Sequence, residues 1–332
     1  MNTQNVIIWA VDPTQNPKDS KNIIKEMKLW SRALDCKILP VTVIPQPLFR
    51  MPIQVETLGE KSLSKIVEKS VRNFLAKANF KGHLPPQFIS IPSSSRRTKA
   101  SALAQFAERN GAQLIVSATS ARKTWYPRIG GFAEALITIS RTPVLLLNPQ
   151  AKISPRISSV MFPTDFSGSS KTALMRLAPW LKKLNAKVLL YNQMETPFVH
   201  IPASGVYLPE YYQETLATSQ EASRKKKANN WSKIIEEQGI SVSSLVENQK
   251  SILSDDIISV ANRTKAQLIA MPSYSSPIAR AFLGSTAREV LLQAKCPVLI
   301  FYRPKALRPA KKEADEQSRA PFESSSLTAN LY

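Results

Sequence analysis

The sequence predicts an α/β protein built from two tandem open five-stranded parallel sheets, each with helices on both faces. Three observations support this prediction: a long internal repeat, apolar strand-like runs that alternate with amphipathic helical segments, and glycines at helix ends. The chain has 332 residues, which is the length of about two domains. Hydrophobic residues make up 43% of it, enough for a buried core and too many for a disordered chain.

The second half of the chain repeats the first at a constant spacing. The segment Ala112–Ile115 recurs as Ala266–Ile269, and Pro143–Leu145 recurs as Pro297–Leu299. A repeat of this length is a duplicated domain and not the unit of a solenoid. We therefore expect a first domain over residues 1–150 and a second over 155–303, followed by a disordered tail over 304–332 that is poor in apolar residues.

The first half alternates strands and helices. Short apolar runs rich in β-branched residues predict strands, and apolar residues at helical spacing predict amphipathic helices. Gly111 is expected to end one helix in the left-handed conformation. The predicted strands are Val6–Val11, Lys37–Ile44, Phe88–Ile91, Leu114–Ala118 and Val144–Leu147, and the predicted helices are Asn22–Leu34, Leu63–Ala78, Ala100–Asn110 and Gly131–Ile139.

The second half follows the same order. Near-continuous apolar strands separated by helices favour a parallel sheet that is covered on both faces. Ser254, followed by two aspartates, is expected to cap a helix with its hydroxyl. The predicted strands are Ser159–Phe162, Lys187–Tyr191, Val242–Val246, Leu268–Met271 and Val298–Phe301, and the predicted helices are Lys171–Leu184, Pro209–Gln238, Asp255–Thr264 and Ser285–Gln293.

Scarce residue types exclude several kinds of site. The two cysteines and two histidines are too far apart in sequence for an ordinary zinc site or a disulfide framework. The nine glycines form neither a G-x-G-x-x-G motif nor a P-loop. No apolar run approaches the roughly 18 residues of a membrane helix, and the N-terminus does not resemble a signal peptide. We expect no metal site, no catalytic residues and a cytoplasmic protein.

The composition is strongly basic. The formal net charge is +21, from 45 Lys and Arg against 24 Asp and Glu. This charge permits anionic partners such as nucleic acid, although the interleaved aromatic and basic residues of single-strand binders are missing. Solvated lysines explain the same composition, so we do not expect nucleic acid as a partner, although the sequence leaves it open.

The duplicated five-stranded units resemble the universal stress protein family. The resemblance lies in Asp12 and Asp165 after the first strand of each half, and in a glycine that opens each last helix. The better motif is Gly284-Ser285-Thr286-Ala287 followed by Cys296-Pro297-Val298, and the weaker one begins at Gly130-Gly131. The family implies an adenine nucleotide alpha hydrolase-like fold and packing of the two halves as a pseudo-dimer through their fifth strands.

The family also implies a nucleotide site. Its nucleotide-binding members carry Gly-x-x-Gly, nine further residues and Gly-[Ser/Thr], and backbone N–H groups at a helix N-terminus suit phosphates. The candidate nucleotide-binding residues implied for this chain are Asp165, Gly284, Ser285, Thr286, Asp12, Gly130 and Gly131. No cofactor is required by the sequence, but ATP or another adenine nucleotide is a candidate ligand.

Both halves depart from that motif. Met271 and Tyr274 stand where the second half would have the two upstream glycines, and Ser117 and Ser120 stand there in the first half. A side chain where backbone must approach a phosphate is costly. The first half also has Trp125 in this loop. We therefore expect ATP binding to be weak or absent, with the second half as the better candidate.

Basic residues near the first site offer an alternative phosphate cradle. Two segments at the carboxyl ends of predicted strands carry them, at the usual ligand edge of an open parallel sheet. Basic side chains there can replace lost backbone contacts to phosphate, or they can be solvated loop charges. The speculative anion-binding residues are Arg96, Arg97, Lys99, Arg122, Lys123 and Arg128.

The leading functional expectation is a non-enzymatic regulatory protein of the stress response. It would act through a protein partner that the sequence does not identify, with the two repeats associating with each other and a homodimer as a further option. Two alternatives stay open: a basic module that binds nucleic acid or another anionic partner, and a nucleotide-handling enzyme of the same architecture. No membrane partner is expected.

Overall fold

The computed structural model describes residues 5–14, 17–45, 60–92, 95–119, 129–148, 151–194, 210–273 and 284–301. In the first half, apolar β-branched runs form strands and amphipathic segments form helices, as predicted. The strands are β1 (Val6–Ala10), β2 (Lys37–Pro45), β3 (Gln87–Ile91), β4 (Leu114–Ala118) and β5 (Val144–Leu147), and the helices are α1 (Lys21–Leu34), α2 (Glu60–Lys77), α3 (Arg96–Arg109) and α4 (Gly131–Ile139).

The second half has the same order of elements. A difference lies at the first helix. A 3-10 turn over Pro17–Ser20 precedes α1 in the first half, whereas only a short loop separates β6 from α5 in the second. The strands are β6 (Ser159–Pro163), β7 (Lys187–Met194), β8 (Val242–Asn248), β9 (Leu268–Pro272) and β10 (Val298–Phe301), and the helices are α5 (Gly168–Leu184), α6 (Glu210–Glu236), α7 (Leu253–Arg263) and α8 (Ser285–Gln293).

The ten strands form one continuous sheet in the order β3-β2-β1-β4-β5-β10-β9-β6-β7-β8. Neighbouring strands within each half are parallel. The two halves meet where β5 pairs with β10 in the antiparallel direction. This confirms the predicted pairing of the fifth strands. The two predicted five-stranded sheets are therefore the two halves of one larger sheet.

The junction between the halves is apolar and aromatic. Leu145 in β5 lies directly opposite Leu299 in β10, and both side chains are fully buried. Beside this pair, the rings of Trp30 and Trp180 meet edge-on with centroids 5.5 Å apart, and Trp180 lies 5.6 Å from the ring of Phe301. The burial of these apolar and aromatic side chains is the main force that holds the two halves together.

Two cores cover the two faces of the sheet because successive strand residues point to opposite faces. Ile7 and Trp9 of β1 belong to the core that includes α1 and α5, and Val6 and Ile8 belong to the other. Both cores extend across the junction between the halves. Among the described residues, no helix is both long and apolar enough to cross a membrane.

A buried carboxyl group lies beside the junction. Glu26 on α1 is only 1% exposed, and one carboxylate oxygen accepts a hydrogen bond of 2.9 Å from Nε1 of Trp30. Burial raises the pKa of Glu26 to about 7, although the hydrogen bond from Trp30 opposes this. In turn, burial and the nearby Glu26 carboxylate raise the pKa of Cys296 to about 12, so that its thiol stays protonated at neutral pH.

Helix α3 begins four residues earlier than predicted. It starts at Arg96, after Ser95, whose hydroxyl accepts a hydrogen bond from the Thr98 N–H at 3.3 Å. The first turn is polar, so apolar periodicity gave no sign of it. Arg96, Arg97 and Lys99 therefore belong to a helical turn, and the prediction that placed them in a strand-to-helix loop was wrong.

The predicted cap of α7 was also wrong. Ile252 occupies the N-cap position, without a side-chain hydrogen bond, so Ser254 already lies in the first turn. The Asp256 carboxylate instead reaches back and accepts the N–H groups of Lys250 and Ser251, at 3.0 and 3.1 Å. An acidic side chain in the first turn thus fixes the segment that precedes the helix, and no side chain caps the N–H groups of the first turn.

Candidate functional site

A cavity of about 1200 Å³ lies at the carboxyl edge of the second half. It sits where β6 and β9 are neighbours, with β7 on one side and β10 on the other. Such a switch point is the usual place for a ligand in an open α/β sheet. Its described lining includes Asp165, Gly284, Ser285 and Thr286. The structure thus brings together the four candidate residues that the sequence named in this half.

Asp165 follows β6 and is held in place by the start of α5. Its Oδ1 accepts hydrogen bonds from the Ser170 hydroxyl at 2.6 Å and from the Ser167 N–H at 2.9 Å. Partial burial raises the pKa of Asp165, but these hydrogen bonds outweigh it and hold the pKa below its usual range. The carboxylate is therefore ionised at neutral pH and fixed in orientation.

The residue after Asp165 is strained. Phe166 has a φ of 57°, a left-handed conformation that costs a non-glycine residue about 1–2 kcal/mol. Two contacts hold it there: its N–H donates to Oγ1 of Thr164 at 2.9 Å, and its ring meets Trp231 edge-on at 5.2 Å. Such strain clusters at functional sites, and here it turns the chain sharply beside the cavity.

Helix α8 presents its N-terminus to the cavity. Gly284 is its N-cap residue and provides no side-chain hydrogen bond. A Cβ added to Gly284 would meet nothing within 4 Å. The first-turn N–H groups, together with the hydroxyls of Ser285 and Thr286, therefore border open space, which suits an anionic group of a ligand.

Three buried polar atoms in the cavity wall have no hydrogen-bond partner within the described part of the chain. They are the Tyr191 hydroxyl, Oδ1 of Asn192 and the Ser273 hydroxyl. Burial and the nearby Asp256 and Glu247 raise the pKa of Tyr191 to about 12, so its hydroxyl keeps its proton. Buried polar atoms are nearly always paired, and these three belong to residues that line the cavity from both faces of the sheet.

Helix α6 brings positive charge to the same cavity. Arg224 and Lys227 line it from this helix, and Asp165 is the one acidic residue among the described lining residues. Arg224 also donates from Nη1 to the Asp165 carbonyl oxygen at 3.0 Å. Neither cation is predictable from the sequence because nothing in the chain marks which face of a long polar helix will meet the sheet edge.

Met271 lies in β9, where the family motif would have a glycine. Its side chain is buried, lines the cavity and packs in the core on that face of the sheet. This agrees with the expectation that Met271 occupies space which a glycine would leave open. Tyr274, the second departure from the motif, lies outside the described residues.

In the first half, the candidate residues are engaged by neighbouring groups of the protein. Oδ1 of Asp12 accepts both the N–H and the hydroxyl of Thr14, at 2.9 and 2.7 Å, which is the pattern of a turn-forming aspartate. Gly130 is the N-cap of α4 and donates its N–H to the Thr119 carbonyl oxygen at 2.7 Å. The sequence could not distinguish this turn-forming role of Asp12 from a ligand-binding role.

Arg96 lies over the start of α4. A Cβ added to Gly131 would come within 2.8 Å of Cδ of Arg96 and 3.0 Å of its Nη1. The glycine that replaces the motif's hydroxyl residue therefore accommodates an arginine side chain of the same half. Arg97 is exposed and Lys99 half-exposed in the same helical turn. Arg122, Lys123 and Arg128 lie outside the described residues, as do Ser120 and Trp125.

We expect Gly131→Ser to be tolerated better when Arg96 is absent. Because the new Cβ would press on the arginine, the substitution should be about 1 kcal/mol more favourable in an Arg96→Ala background than in the natural chain. Urea unfolding of the two single variants and the double variant measures this difference. Gly284→Ala, at the open N-cap of the matching helix α8, is the control and should show no coupling to Arg96. Equal costs in both backgrounds would mean that Arg96 does not cover Gly131.

The cavity residues fit a polar, anionic organic ligand better than a metal ion. Among the described residues, no group of three or more His, Cys, Asp and Glu side chains could hold a metal ion. Unpaired hydroxyl and amide oxygens belong to residues that line the cavity, and cations and an open helix N-terminus border the same space. These groups match the hydroxyls, ring atoms and phosphates of a nucleotide.

Comparison with known proteins supports one family. A model of the universal stress protein family matches residues 157–301, which is the half that holds the cavity. A universal stress protein of Methanocaldococcus jannaschii is 33% identical over 149 residues, which are 44% of this chain and 82% of that protein.

Solved structures agree with the fold of the whole chain. A universal stress protein from Archaeoglobus fulgidus superimposes with a TM-score of 0.59 at 16% identity, covering 91% of this chain and 98% of that one. A functionally unknown protein from Pseudomonas aeruginosa superimposes with a TM-score of 0.58 at 11% identity, covering 90% and 92%. At such low identities the likeness concerns the fold alone.

Proposed function

The chain belongs to the universal stress protein family, and on that premise we propose that it is a non-enzymatic regulatory protein of the stress response. In this proposal the cavity of the second half binds an adenine nucleotide weakly, and a protein partner recognises the nucleotide-bound form of the chain. We also propose the domain division of residues 1–150 and 155–303, with a tail over 304–332.

The three unpaired polar atoms in the cavity wall carry the proposal. A buried polar group without a partner costs about 1–3 kcal/mol, so three of them together are a substantial loss in the unliganded protein. Tyr191, Asn192 and Ser273 all line the cavity, the first two from opposite faces of the sheet. A ligand with several hydrogen-bonding groups would recover this free energy, and an apolar ligand would not.

The remaining lining residues supply roles for the other parts of a nucleotide. The open N-terminus of α8, with Ser285 and Thr286, would hold phosphate oxygens through N–H and hydroxyl donors. Arg224 and Lys227 would balance the phosphate charge. The fixed, ionised Asp165 would accept hydrogen bonds from sugar hydroxyls. None of these roles involves bond breaking, which is why we propose a binding protein and not an enzyme.

Binding should be weak because the wall lacks the family's glycines. Met271 fills part of the space in which backbone would otherwise approach a phosphate. In the first half, the side chain of Arg96 covers Gly131 at the start of α4. We therefore place the nucleotide in the second half.

The proposal is tested by titrating ATP into the full chain and by mass spectrometry of small molecules released from the purified, denatured protein. We expect one ATP per chain with a Kd of about 100 μM, which corresponds to a binding free energy of about −5.5 kcal/mol. No binding at millimolar ATP would refute the nucleotide site. Micromolar or tighter binding would refute the argument that the motif is degenerate.

We expect Met271→Gly combined with Tyr274→Gly to tighten ATP binding by about tenfold, because backbone can then approach the phosphates. Met271 is also a core residue, so this double variant should lose about 2–4 kcal/mol of stability. Calorimetry below its melting temperature measures the gain. Ser117→Gly, the equivalent change in the first half, is the control and should leave ATP binding unchanged. Unchanged affinity in the folded double variant would mean that the missing glycines are not what weakens binding.

A second candidate function is binding of an anionic macromolecule. Its motivation is the run Arg224 to Lys227 on α6, in which Lys225, Lys226 and Lys227 are exposed and Lys225 pairs with Glu221. Gel-shift assays with DNA and RNA at two salt concentrations test this function. A steep loss of binding with salt and no sequence preference would indicate generic attraction to phosphate.

A further inference from the structure

The segment that joins the two halves covers one edge of the second half. Ala151 is only 3% exposed, and its carbonyl oxygen accepts a hydrogen bond from Nδ2 of Asn22 on α1 at 3.3 Å. The next residue, Lys152, donates its N–H to the Lys295 carbonyl oxygen, just before β10, at 2.8 Å. Ile153 then packs against the core that includes α1 and α5. The chain that leaves β5 therefore crosses the junction and holds the segment that leads into β10.

The first half has an equivalent crevice, with a volume of about 390 Å³. Lys152 and Ile153 of the joining segment form part of the second-half crevice, whereas Trp180 and Phe301 border the first-half one. The remaining walls match through the internal repeat. Those of the first half include Gln113, Arg141 and Thr142, and those of the second include their counterparts Gln267, Lys295 and Cys296.

The chain that leaves β10 begins at the first-half crevice. Phe301, the last residue of β10, lines this crevice, because the antiparallel pairing sets the end of β10 beside the start of β5. The chain continues over residues 302–332, which lie outside the described residues. The spacing that relates the two halves takes Ile153 to Leu307 and Pro155 to Pro309. The tail therefore begins with a sequence that resembles the joining segment.

The first-half crevice offers the groups that such a segment needs. The Arg141 carbonyl oxygen, which matches the acceptor used by the joining segment, receives Nη2 of Arg176 at 3.4 Å. This is a long hydrogen bond, and a carbonyl oxygen can accept a second one. Trp180 is half-buried there and provides apolar area for an aliphatic side chain. Positive charge does not exclude a basic segment, since the second-half crevice is lined by Lys152, Lys265 and Lys295.

We propose that residues 302–309 form a strap that crosses the junction and docks in the first-half crevice, with Leu307 beside Trp180. In a two-fold interface, a contact that one side makes is repeated by the other. The strap supplies the missing repeat of the joining segment, so that each half is held by the chain that leaves the fifth strand of the other. The disorder expected for the tail then begins at Ala310 and not at Pro304.

Hydrogen exchange of the full natural chain, measured by mass spectrometry, tests the strap directly. The amides of Lys305 and Ala306, the counterparts of Ala151 and Lys152, should exchange at least about tenfold more slowly than those of residues 310–332. Leu307→Ser should abolish this difference, because serine cannot replace the apolar contact with Trp180. Leu327→Ser makes the same change later in the tail, and it is the matched control that should keep the difference.

Two truncations give an independent measurement. Deleting residues 310–332 should leave the melting temperature unchanged, whereas deleting residues 302–332 should lower it by about 5 °C. Ile153→Ser, on the joining segment, provides the scale for such a contact and should lower the melting temperature by a similar amount. If the shorter chain does not fold, the exchange measurement on the natural chain still decides the matter.

Four results would overturn the strap. The first is equal exchange rates throughout residues 302–332 of the natural chain, and the second is equal melting temperatures of the two truncated chains. The third is slow exchange in residues 1–4 in place of 302–309, since the N-terminus would then cover the crevice. The fourth is slow exchange that appears only in a dimer, as judged by analytical ultracentrifugation, since the tail would then dock on a second copy.

Discussion

Glu26→Gln is expected to stabilise the protein by about 3 kcal/mol at pH 8.5 and to change its stability little at pH 4.5. The pKa of Glu26 is raised from 4.5 to about 7 by burial. A carboxyl whose pKa is higher in the folded state contributes its full stability below the unfolded pKa and loses it as the pH rises to the folded pKa. The loss between pH 4.5 and about 7 amounts to about 3 kcal/mol, and glutamine has no proton to lose.

The choice of glutamine keeps the local structure intact. Its amide oxygen can still accept the hydrogen bond from Nε1 of Trp30, which now goes to the carboxylate. Urea unfolding at the two pH values measures the effect, and other titrating groups cancel in the difference. Glu236→Gln, on the exposed side of α6, is the control and should have little effect at either pH. Equal destabilisation by Glu26→Gln at both pH values would contradict a charge-based cost.

The second large effect is expected at the junction of the halves. Leu145→Ala and Leu299→Ala should each cost about 3 kcal/mol, because both side chains are fully buried and the cavity left by a leucine is only partly refilled. Since these leucines face each other across the β5–β10 pair, their costs should not add. We expect a coupling of about 1 kcal/mol in the double variant, measured by urea unfolding.

The chain contains its own control for this experiment. Leu114 in β4 and Leu268 in β9 are equally buried and occupy equivalent positions in the two halves. They are separated by β5 and β10, about 14 Å at the usual strand spacing, so their costs should simply add. If the Leu145 and Leu299 costs also add, the halves meet less tightly in solution than the strand pairing indicates.

The order of elements was predictable because it depends on local patterns. Apolar runs of period two and apolar residues of period 3.6 gave ten strands and eight helices with small errors at their ends. The α3 start was missed because its first turn is polar, and the α7 cap because Asp256 reaches back from inside the helix. The pairing of β5 with β10 followed from the family resemblance and from the exposed sheet edge that each half would otherwise leave.

The candidate site was predictable only in part. The motif located Asp165 and Gly284, which do share a cavity. It did not reveal Asn192, although a polar residue at the end of a buried strand is a signal that could have been used. Glu26 also lay within reach of the sequence, since it is three residues after Ile23 and four before Trp30, on the apolar face of α1. The roles of Arg224 and Lys227 depend on how α6 meets the sheet, which no local pattern encodes.

Joining the two halves in one chain changes which residues can meet at the junction, where the approximate two-fold axis between the halves lies. Trp30 and Trp180 each lie four residues before the end of a matching helix, α1 and α5, and they meet each other at the junction. One turn earlier the matching residues are Glu26 and Arg176, which are opposite in charge. In an assembly of identical subunits, a residue near the axis faces its own copy, so this difference could not exist. The fused chain also keeps its halves at a fixed ratio on dilution, which leaves each half free to specialise.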